Sequence, residues 1–580
     1  MADRGAGVDR LSVALTGSGG AGVLTAGAML LETAGQAGWY GLSTRAVGPQ
    51  IRGGEAAALL QLSTRPVTAS DAELNVLLAV DWQNFERFQS EIQLTANSLV
   101  IADPEAGDAP GAVAQSDARI AELPLHALAK EIAGGRINMV ALGAVCGLIG
   151  LPVAECLEVA ERMIADKGAK AVQATAKAIR AGHEAVPGLG PAPRLAAPQE
   201  KSTRKGGGRW LISGNEAAGL GAIRGGVRFV AAYPITPATD MLEWLAPALA
   251  KVGGVLVQAE DELASINMII GASYGGTPAL TATSGPGLAL MTESIGLAIT
   301  TEVPIVVVDV MRGGPSTGLP TKSEQADLNI AVHGFHGDAP HVVVAPMTVA
   351  DCLFTTQWAV YLAEALQTSA IVLSDQHLGQ ARAVIDAPAD VAFIGQRLVA
   401  KKPAAGYQRY AATASGISPM ALPGTTGGQY TADGLEHNER GTPSTRSDDR
   451  ITQMEKRRAK VEDFDYGDHW AEIEGSGELA VITWGSSTGP VREALGRARR
   501  DGVEARLVAL RLISPARPEH MARALDGVTK VLVVEQSQSG QLYHYLKAHY
   551  DPGAEMRGLR RPGPLPILPA EVLEHITEWG

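Results

Sequence analysis

Short apolar runs alternate with longer segments of helical periodicity along most of the chain. Runs rich in aliphatic residues, such as 11–16, 56–62 and 138–145, predict strands, whereas 23–37 and 153–162 carry the apolar spacing of helices. Such alternation is typical of α/β folds, in which helices cover largely parallel sheets. The chain is therefore predicted to be α/β.

The same pattern recurs twice further along the chain. Strand-like runs at 255–258, 280–283 and 304–310 alternate with helical segments, and a third set of strands begins at 479–485. Two stretches lack any hydrophobic period. The first is rich in Pro, Gly, Ala and charge, and the second is dominated by turn-forming residues. These breaks divide the chain into segments with predicted bounds of 1–187, 188–208 (linker), 209–400, 401–475 (irregular connection) and 476–580.

Composition narrows the possible functions. The net charge of −13 argues against binding to nucleic acid, and three cysteines without a CxxC spacing cannot supply the thiolates of an iron-sulfur cluster. His333 and His336 lie in a glycine-containing, loop-like run and are not predicted to bind a metal. The longest apolar region, 279–310, is interrupted by Glu293 and Glu302, and the N-terminus does not resemble a signal peptide. We therefore expect a cytoplasmic protein that does not span a membrane.

The most informative stretch lies between residues 230 and 272. Its first part, Tyr233-Pro234-Ile235-Thr236-Pro237-Ala238-Thr239-Asp240, contains two prolines that restrict the backbone and fix the direction of the Thr236 hydroxyl. The apolar run 255–258 then leads to Glu260, Asp261 and Glu262. The last two acids fit the first turn of a helix, whereas a carboxylate that ends an apolar strand is costly to bury without a functional partner. Glu260 is therefore a candidate functional residue.

An arginine follows the next apolar strand but one. Arg312 follows the apolar run 304–310, with Met311 between them, and precedes a loop with three glycines and several hydroxyl groups. A guanidinium at this position is well placed to bind a planar carboxylate. The alternative is a surface arginine paired with Asp309. Asn215, which follows another predicted strand, is predicted to cap a helix.

These motifs resemble those of the 2-oxoacid:ferredoxin oxidoreductases. Ala-Tyr-Pro-Ile-Thr-Pro-Ala-Thr-Asp and Gln-Ala-Glu-Asp-Glu-Leu-Ala-Ser-Ile are similar to the pyrimidine-binding domain of these thiamine diphosphate enzymes. The similarity is greatest to the 2-oxoglutarate-specific α subunits that carry a fused γ domain. It implies a γ-type Rossmann-like domain at 1–187, a pyrimidine-binding domain at 209–400 and a transketolase-like C-terminal domain at 476–580.

The resemblance also implies roles for individual residues. Glu260 would bind N1′ of the aminopyrimidine, Thr236 would contact the substrate, and Arg312 would anchor the 2-oxoacid carboxylate. Tyr233, Pro234, Ile235 and Gly285 would complete the thiamine diphosphate site. The catalytic residues implied in this way are Glu260, Thr236 and Arg312.

Two further motifs lie in the N-terminal segment. Gly17, Gly19, Gly20 and Gly22 form a glycine turn between strand and helix, which is either a tight structural turn or a phosphate site. The absence of a following ribose-binding acid disfavours a nicotinamide site, and the resemblance favours a phosphate of coenzyme A. Arg45 and Arg52 are predicted on an exposed loop, either as solvated charges or as ligands of a substrate carboxylate or a coenzyme A phosphate.

The chain lacks part of the machinery that this chemistry requires. It contains no Gly-Asp-Gly motif for the diphosphate of the coenzyme. The resemblance therefore implies a β subunit that supplies Mg²⁺, the diphosphate site and a [4Fe-4S] cluster within an (αβ)₂ heterotetramer, with ferredoxin and coenzyme A as further partners. The expected substrate is 2-oxoglutarate. Pyruvate or a branched-chain 2-oxoacid is the enzymatic alternative, and a noncatalytic nucleotide-binding scaffold is the alternative of another class.

Overall fold

The computed structural model describes residues 7–47, 55–71, 73–83, 85–87, 89–198 and 208–579. They form two compact units. The first comprises the chain to Ser213 together with Ala381–Ala389 and Leu568–Glu571, and the second comprises Gly214–Gln380, Asp390–Ile567 and Val572–Gly580.

Strands and helices alternate through both units, as the hydrophobic pattern predicts. Up to the end of the first long segment they are β1 (Arg10–Ser18), α1 (Val23–Ala37), β2 (Tyr40–Val47), β3 (Glu55–Ser63), β4 (Val76–Ala79), β5 (Leu99–Ala102), α2 (Gly111–Ala114), β6 (Arg119–Glu122), α3 (Leu125–Lys130), α4 (Ile137–Ile149), α5 (Val153–Ile164), α6 (Ala169–Glu184) and β7 (Arg209–Ser213). The chain continues with α7 (Gly214–Gly225), β8 (Phe229–Ala232), α8 (Thr239–Lys251), β9 (Val255–Gln258), α9 (Glu262–Tyr274), β10 (Ala279–Thr283), α10 (Gly285–Thr300), β11 (Ile305–Met311), α11 (Leu328–His333), β12 (Val342–Val344), α12 (Val349–Leu366), β13 (Ser369–Asp375), α13 (Gln376–Gln380) and β14 (Arg382–Asp386). The remaining elements are α14 (Ser447–Glu462), β15 (Ala471–Glu474), β16 (Leu479–Trp484), α15 (Thr488–Arg500), β17 (Ala505–Leu510), β18 (Leu512–Ser514), α16 (Pro518–Ala524), β19 (Lys530–Glu535), α17 (Gln541–His549), β20 (Glu555–Arg560) and α18 (Pro569–Trp579).

The first unit contains a mixed sheet in the order β6-β5-β4-β1-β3-β2-β14-β7. Strand β1 pairs in parallel with β4 but antiparallel with β3, which in turn forms an antiparallel pair with β2. Strand β7, at the predicted start of the middle segment, pairs antiparallel with β14 in this sheet. The α/β class is confirmed, and the domain bounds given above remain predictions.

The run 138–145 is helical, so its prediction as a strand is wrong. It belongs to α4, whose residues are almost all buried. A helix surrounded by protein has no polar face, and hydrophobic periodicity cannot distinguish it from a buried strand. Its close packing depends on glycine, because a Cβ on Gly143 would lie 1.9 Å from the carbonyl oxygen of Ile179 on α6.

Part of the predicted linker 188–208 is packed against the first unit. Leu195 is buried and forms a β-bridge with Val8, and the indole of Trp39 donates a 2.8 Å hydrogen bond to the carbonyl oxygen of Ala196. Residues 199–207 lie outside the described chain. The apolar side chain at 195 therefore anchors a segment whose composition is otherwise that of a linker.

The second unit contains two sheets. The larger has the order β18-β12-β13-β11-β10-β8-β9, with parallel pairing throughout except between β12 and β18. The smaller has the order β15-β17-β16-β19-β20, and only its edge strand β15 is antiparallel. Since β9 is an edge strand of the larger sheet, one side of it is open.

The irregular connection is anchored by a buried charge cluster. Lys456 and Lys460 of α14 both bind the Glu302 carboxylate, and the guanidinium of Arg409 donates a 2.8 Å hydrogen bond to the Glu302 carbonyl oxygen. All four side chains are buried. Helix α14 therefore has lysines on its buried face, where they bind a buried carboxylate.

The described residues contain no helix that combines the length and apolar composition of a membrane span. Nor do they contain a group of three or more His, Cys, Asp or Glu side chains that could hold a metal ion.

Candidate functional site

The predicted site residues of the second unit lie at the carboxyl ends of adjacent parallel strands. In the order β11-β10-β8-β9, these strands are followed by Arg312, by Gly285, by the loop 233–238 and by Glu260. Ligands of parallel α/β sheets bind at the carboxyl ends of the strands. The topology therefore places the predicted residues on one side of the sheet.

Thr236 and Arg312 lie together. The Arg312 guanidinium donates a 2.6 Å hydrogen bond from Nη1 to the carbonyl oxygen of Thr236, although the two residues are 76 positions apart. A second side chain holds the same loop, because Asn215 Nδ2 donates a 2.9 Å hydrogen bond to the carbonyl oxygen of Pro237. The loop is thus fixed by two donors from neighbouring elements.

The prediction of Asn215 as a helix cap is wrong. Helix α7 begins at Gly214, directly after β7, so that Asn215 lies within the first turn and its buried side chain turns to the 233–238 loop. The local sequence shows a polar residue after a strand, but the acceptor that engages it is 22 positions away.

Arg312 is a buried residue with spare hydrogen-bonding capacity. It is only 6% exposed, which excludes the surface-arginine alternative. Its buried Nε–H donates no hydrogen bond to any of the described residues. Burial lowers the pKa of Arg312, and the charge of Asp327 opposes that shift. A buried guanidinium with an unused donor is suited to bind an anion.

Two acidic side chains lie beside Arg312. Asp309 of β11 and Asp327, just before α11, lie within hydrogen-bonding reach of each other. Asp327 also lies against Gly285, where a Cβ atom would be 2.6 Å from Asp327 Oδ2. Gly285 therefore leaves room for this carboxyl group. Asp327 was not predicted, since its relation to Asp309 depends on tertiary structure.

Glu260 is exposed, which corrects the reason for selecting it. It was expected to end a buried strand, but β9 lies at the sheet edge and its first residue, Val255, is 51% exposed. The neighbouring acids fit the predicted helix start. Asp261 caps α9 by accepting a 2.6 Å hydrogen bond from the Ala264 amide, and Glu262 is the first helical residue. The role of Glu260 remains a prediction.

Apolar side chains are exposed around this open edge. Tyr233 follows β8, Val255 lies on β9, Leu263 and Met268 lie on α9, and Leu290 lies on α10, and each is at least 40% exposed. Pro234 and Ile235 are half-buried. Clusters of exposed large apolar residues mark binding surfaces more often than isolated ones do.

The glycine turn joins β1 to α1 in the first unit. Gly20 and Gly22 have φ angles of 105° and 78°, which favour glycine. At the start of the turn, the amide and hydroxyl of Ser18 donate hydrogen bonds of 3.0 and 2.8 Å to Asp81 Oδ2. The Asp81 carboxylate thus accepts hydrogen bonds from two Ser18 donors that could otherwise bind a phosphate. Asp81 was not predicted. Gly19 lies in the turn as expected, whereas Gly17 belongs to β1, where it pairs with Ala56.

Arg45 lies in a strand, which corrects its placement on a loop. It belongs to β2, where it pairs with Ala58 of β3, and its side chain is exposed as predicted. Residues 40–47 were not predicted as a strand because glycine, arginine and hydroxyl residues obscure their alternation. Arg52 lies outside the described residues.

Models of three related families match successive parts of the chain. Residues 12–185 match "Pyruvate ferredoxin/flavodoxin oxidoreductase", residues 220–457 match "Pyruvate flavodoxin/ferredoxin oxidoreductase, thiamine diP-bdg", and residues 477–559 match "Pyruvate:ferredoxin oxidoreductase core domain II".

Individual proteins are similar over larger parts of the chain. 2-Oxoacid:ferredoxin oxidoreductase 2, subunit alpha, of Aeropyrum pernix is 34% identical over 469 residues, which cover 75% of this chain and 72% of that protein. The 2-oxoglutarate synthase subunit KorA of Methanothermobacter marburgensis is 35% identical over 375 residues, covering 63% of this chain and 98% of the relative. A solved structure of 2-oxoglutarate:ferredoxin oxidoreductase from Magnetococcus marinus, with 2-oxoglutarate, coenzyme A and succinyl-CoA bound, is 35% identical and superposes with a TM-score of 0.91. That match covers 98% of this chain and 99% of the other.

Proposed function

Because the chain belongs to the family of 2-oxoacid:ferredoxin oxidoreductases, we propose that it is the α subunit of an enzyme that oxidises 2-oxoglutarate. The reaction would convert 2-oxoglutarate, coenzyme A and two oxidised ferredoxins into succinyl-CoA, CO₂, a proton and two reduced ferredoxins. The observation that carries the proposal is the likeness, along 98% of the chain, to a protein with 2-oxoglutarate and coenzyme A bound.

Arg312 and Thr236 would bind the carboxylate next to the keto group. One Arg312 N–H is used to hold the Thr236 carbonyl, so the guanidinium is fixed in direction while its buried Nε–H remains for an anion. A buried guanidinium and a carboxylate attract each other more strongly than they would in water. The Thr236 hydroxyl, on the same fixed loop, would supply a second contact and orient the keto carbon.

The pyrimidine of thiamine diphosphate would bind at the open edge of the larger sheet, beside β9. The exposed Glu260 carboxylate would accept a hydrogen bond from N1′, while Tyr233, Pro234, Ile235 and Gly285 would surround the ring. When bound, the coenzyme supplies the electron sink that decarboxylation of a 2-oxoacid requires. Covering Glu260 would remove it from water, so that its charge acts more strongly on the ring.

The apolar residues around this edge would be covered by a β subunit. Val255, Leu263, Met268 and Leu290 are exposed on β9, α9 and α10. The sequence also lacks a Gly-Asp-Gly motif. A partner on this surface would bring the diphosphate site, Mg²⁺ and a [4Fe-4S] cluster, and two such pairs would give an (αβ)₂ heterotetramer.

Coenzyme A would use the glycine turn of the first unit. Since Asp81 occupies the donors of Ser18, a phosphate would be bound by the exposed turn at Gly19 and Gly20, ahead of Gly22 and α1. Arg45 and Arg52 would assist, either at a phosphate or at the distal carboxylate of 2-oxoglutarate. Arg45 is exposed on β2.

The test uses the α and β subunits purified as one complex. Viologen reduction is measured with 2-oxoglutarate, pyruvate and a branched-chain 2-oxoacid, each with coenzyme A. The names of the matching family models favour pyruvate as the second candidate substrate. A higher kcat/KM for pyruvate than for 2-oxoglutarate would make pyruvate the assigned substrate.

Glu260→Gln tests the role of this chain in the chemistry. We expect at least a hundredfold loss of kcat with the complex intact, since general acid-base groups contribute roughly 10²–10⁴-fold. Glu243→Gln, which changes an exposed acid on α8, is the matched control and should leave kcat unchanged. Full activity of Glu260→Gln would indicate a scaffold subunit instead.

A further inference from the structure

The carboxyl groups of Asp309 and Asp327 lie against each other, and three of their four oxygens are buried without a hydrogen-bond donor among the described residues. Neither oxygen of Asp309 receives a hydrogen bond from an N–H or fixed O–H group of the described residues, and the same holds for Oδ2 of Asp327. The two groups are within hydrogen-bonding reach. Two carboxylates this close, with most of their oxygens buried, cannot both be ionised without a large cost, whereas a proton between them satisfies both.

The surrounding charges make this pair relevant to Arg312. The titratable or charged groups on the elements around the pair include Arg312 after β11, Lys322 and Glu324 before α11, His333 of α11, Glu262 of α9, Asp375 of β13 and His377 of α13. Asp375 already accepts a 2.9 Å hydrogen bond from the Leu378 amide, and Glu324 accepts one of 3.2 Å from the Gly563 amide. Arg312 is thus the cation whose charge acts on Asp327.

We propose that Asp309 and Asp327 share one proton, and that this proton leaves the positive charge of Arg312 available to the carboxylate of the substrate. The inference rests on the proposed function, in which Arg312 binds a 2-oxoacid. With one proton, the pair and Arg312 sum to zero charge. Without it they sum to −1 and repel an anionic substrate. Asp309 is a positioning residue in this scheme, since it acts through Asp327 and Arg312.

The directions of the pKa shifts agree with the geometry. Burial raises the pKa of Asp309 well above its ordinary value, and the neighbouring Asp327 adds to this. Burial also raises the pKa of Asp327 to about 6, with Glu324 raising it further and Arg312 and the Asp309 hydrogen bond opposing. Both directions favour retention of one proton by the pair.

The experiment measures KM and kcat of the αβ complex for 2-oxoglutarate between pH 7 and pH 9.5. For the wild-type complex, KM should rise about tenfold as the pair loses its proton, because one added charge near a buried guanidinium changes an interaction by at least that factor. In Asp309→Asn the amide donates permanently to Asp327, so KM should stay flat over this pH range. An equal alkaline rise in both complexes overturns the proposal.

Two controls and one spectroscopic readout separate other causes. Glu324→Gln removes a nearby acid and Asp338→Asn an exposed one, and both should keep the alkaline rise in KM. In infrared spectra of the full chain, the carbonyl band of a protonated carboxyl group should be present at pH 7.5 and absent from Asp309→Asn. If that variant does not fold, a wild-type chain without the band, or with a flat KM profile, overturns the proposal.

Failure of the proposed function gives a different result. A wild-type complex that oxidises no 2-oxoacid would refute the proposed function, while the infrared band would still decide whether the proton is shared. An active complex without the band would refute only the shared proton.

Discussion

The buried charge cluster beneath the irregular connection offers a sharp test of how this region is held. Glu302 is fully buried, and its carboxylate is bound by Lys456 and by Lys460, the latter at 2.9 Å. Although burial alone would raise the pKa of Glu302, the charges of Lys460, Lys456 and Arg409 hold it well below its ordinary value. The carboxylate is therefore the anion on which three buried cations depend.

Replacing this anion by an amide should be strongly destabilising. Glu302→Gln keeps the shape of the side chain but leaves two ammonium groups and a guanidinium without a counter-charge. Removal of one partner of a buried ion pair costs about 3–5 kcal/mol. Part of that cost will be avoided, because burial already lowers the pKa of Lys460 to about 7 and this amine can lose its proton. We therefore expect a loss of about 3 kcal/mol in the free energy of unfolding of this region.

The assay is hydrogen exchange of the α14 amides combined with urea unfolding of the full chain at pH 7.5. A multidomain chain need not unfold in one step, and the amides of α14 report on the cluster directly. The matched control is Glu455→Gln on the same helix, whose exposed pair with Arg458 should contribute about 0–1 kcal/mol. The reasoning is refuted if protection of α14 falls no more in Glu302→Gln than in Glu455→Gln.

Three further predictions concern packing, the site loop and pH. Gly143→Ala should lower the thermal midpoint of unfolding by several degrees, because its Cβ would lie 1.9 Å from a carbonyl oxygen. The control is Gly296→Ala, whose Cβ would have no atom within 4 Å. It should be neutral or stabilise the fold by about 0.5–1 kcal/mol. Asn215→Ala should raise KM for the 2-oxoacid at least fivefold by releasing the Pro237 carbonyl, and an unchanged KM would show that Arg312 alone fixes the loop. The pKa of Lys460 is about 7 in the fold and 10.5 ordinarily, so the unfolded chain binds more protons between these values and unfolding free energy should rise with pH there. Urea unfolding of Lys460→Met should show a smaller rise across the same window.

The parts of the fold that the sequence predicts correctly are those governed by local signals. Helix α1 begins and ends where its apolar run does, because Gly22 precedes it and Gly38 follows it. The errors arise where tertiary structure overrides the pattern. The run within α4 is apolar on every side, and Arg45 lies in a strand whose pairing with β3 supplies the regularity that its sequence lacks.

The site shows the same division. Arg312 and Thr236 were selected separately, each as a polar residue beyond a strand, and parallel pairing brings such positions to one edge. Asn215, Asp81 and Asp327 were assigned otherwise or missed, because each acts on a residue 22 to 63 positions away or on a group recognised only in three dimensions. Glu260 was selected from an expectation of burial, and the structure instead places it in the open.

That exposure leads to a prediction about the isolated chain. Arg312 is already buried and held, whereas Glu260 lies just beyond an edge strand, is exposed, and has exposed apolar residues near it in the sequence. The isolated chain should therefore bind thiamine diphosphate weakly, because a single solvated carboxylate gains little from one hydrogen bond.

Calorimetric titration with thiamine diphosphate and Mg²⁺ would measure this for the α chain, the β chain and their mixture. We expect tight binding only in the mixture, and Leu263→Asp, placed in the exposed apolar cluster, should abolish both assembly and binding. Glu243→Gln, on the exposed face of α8, should bind as the wild type does. Tight binding by the α chain alone would mean that it holds both ends of the coenzyme, and the case for a shared site would fail.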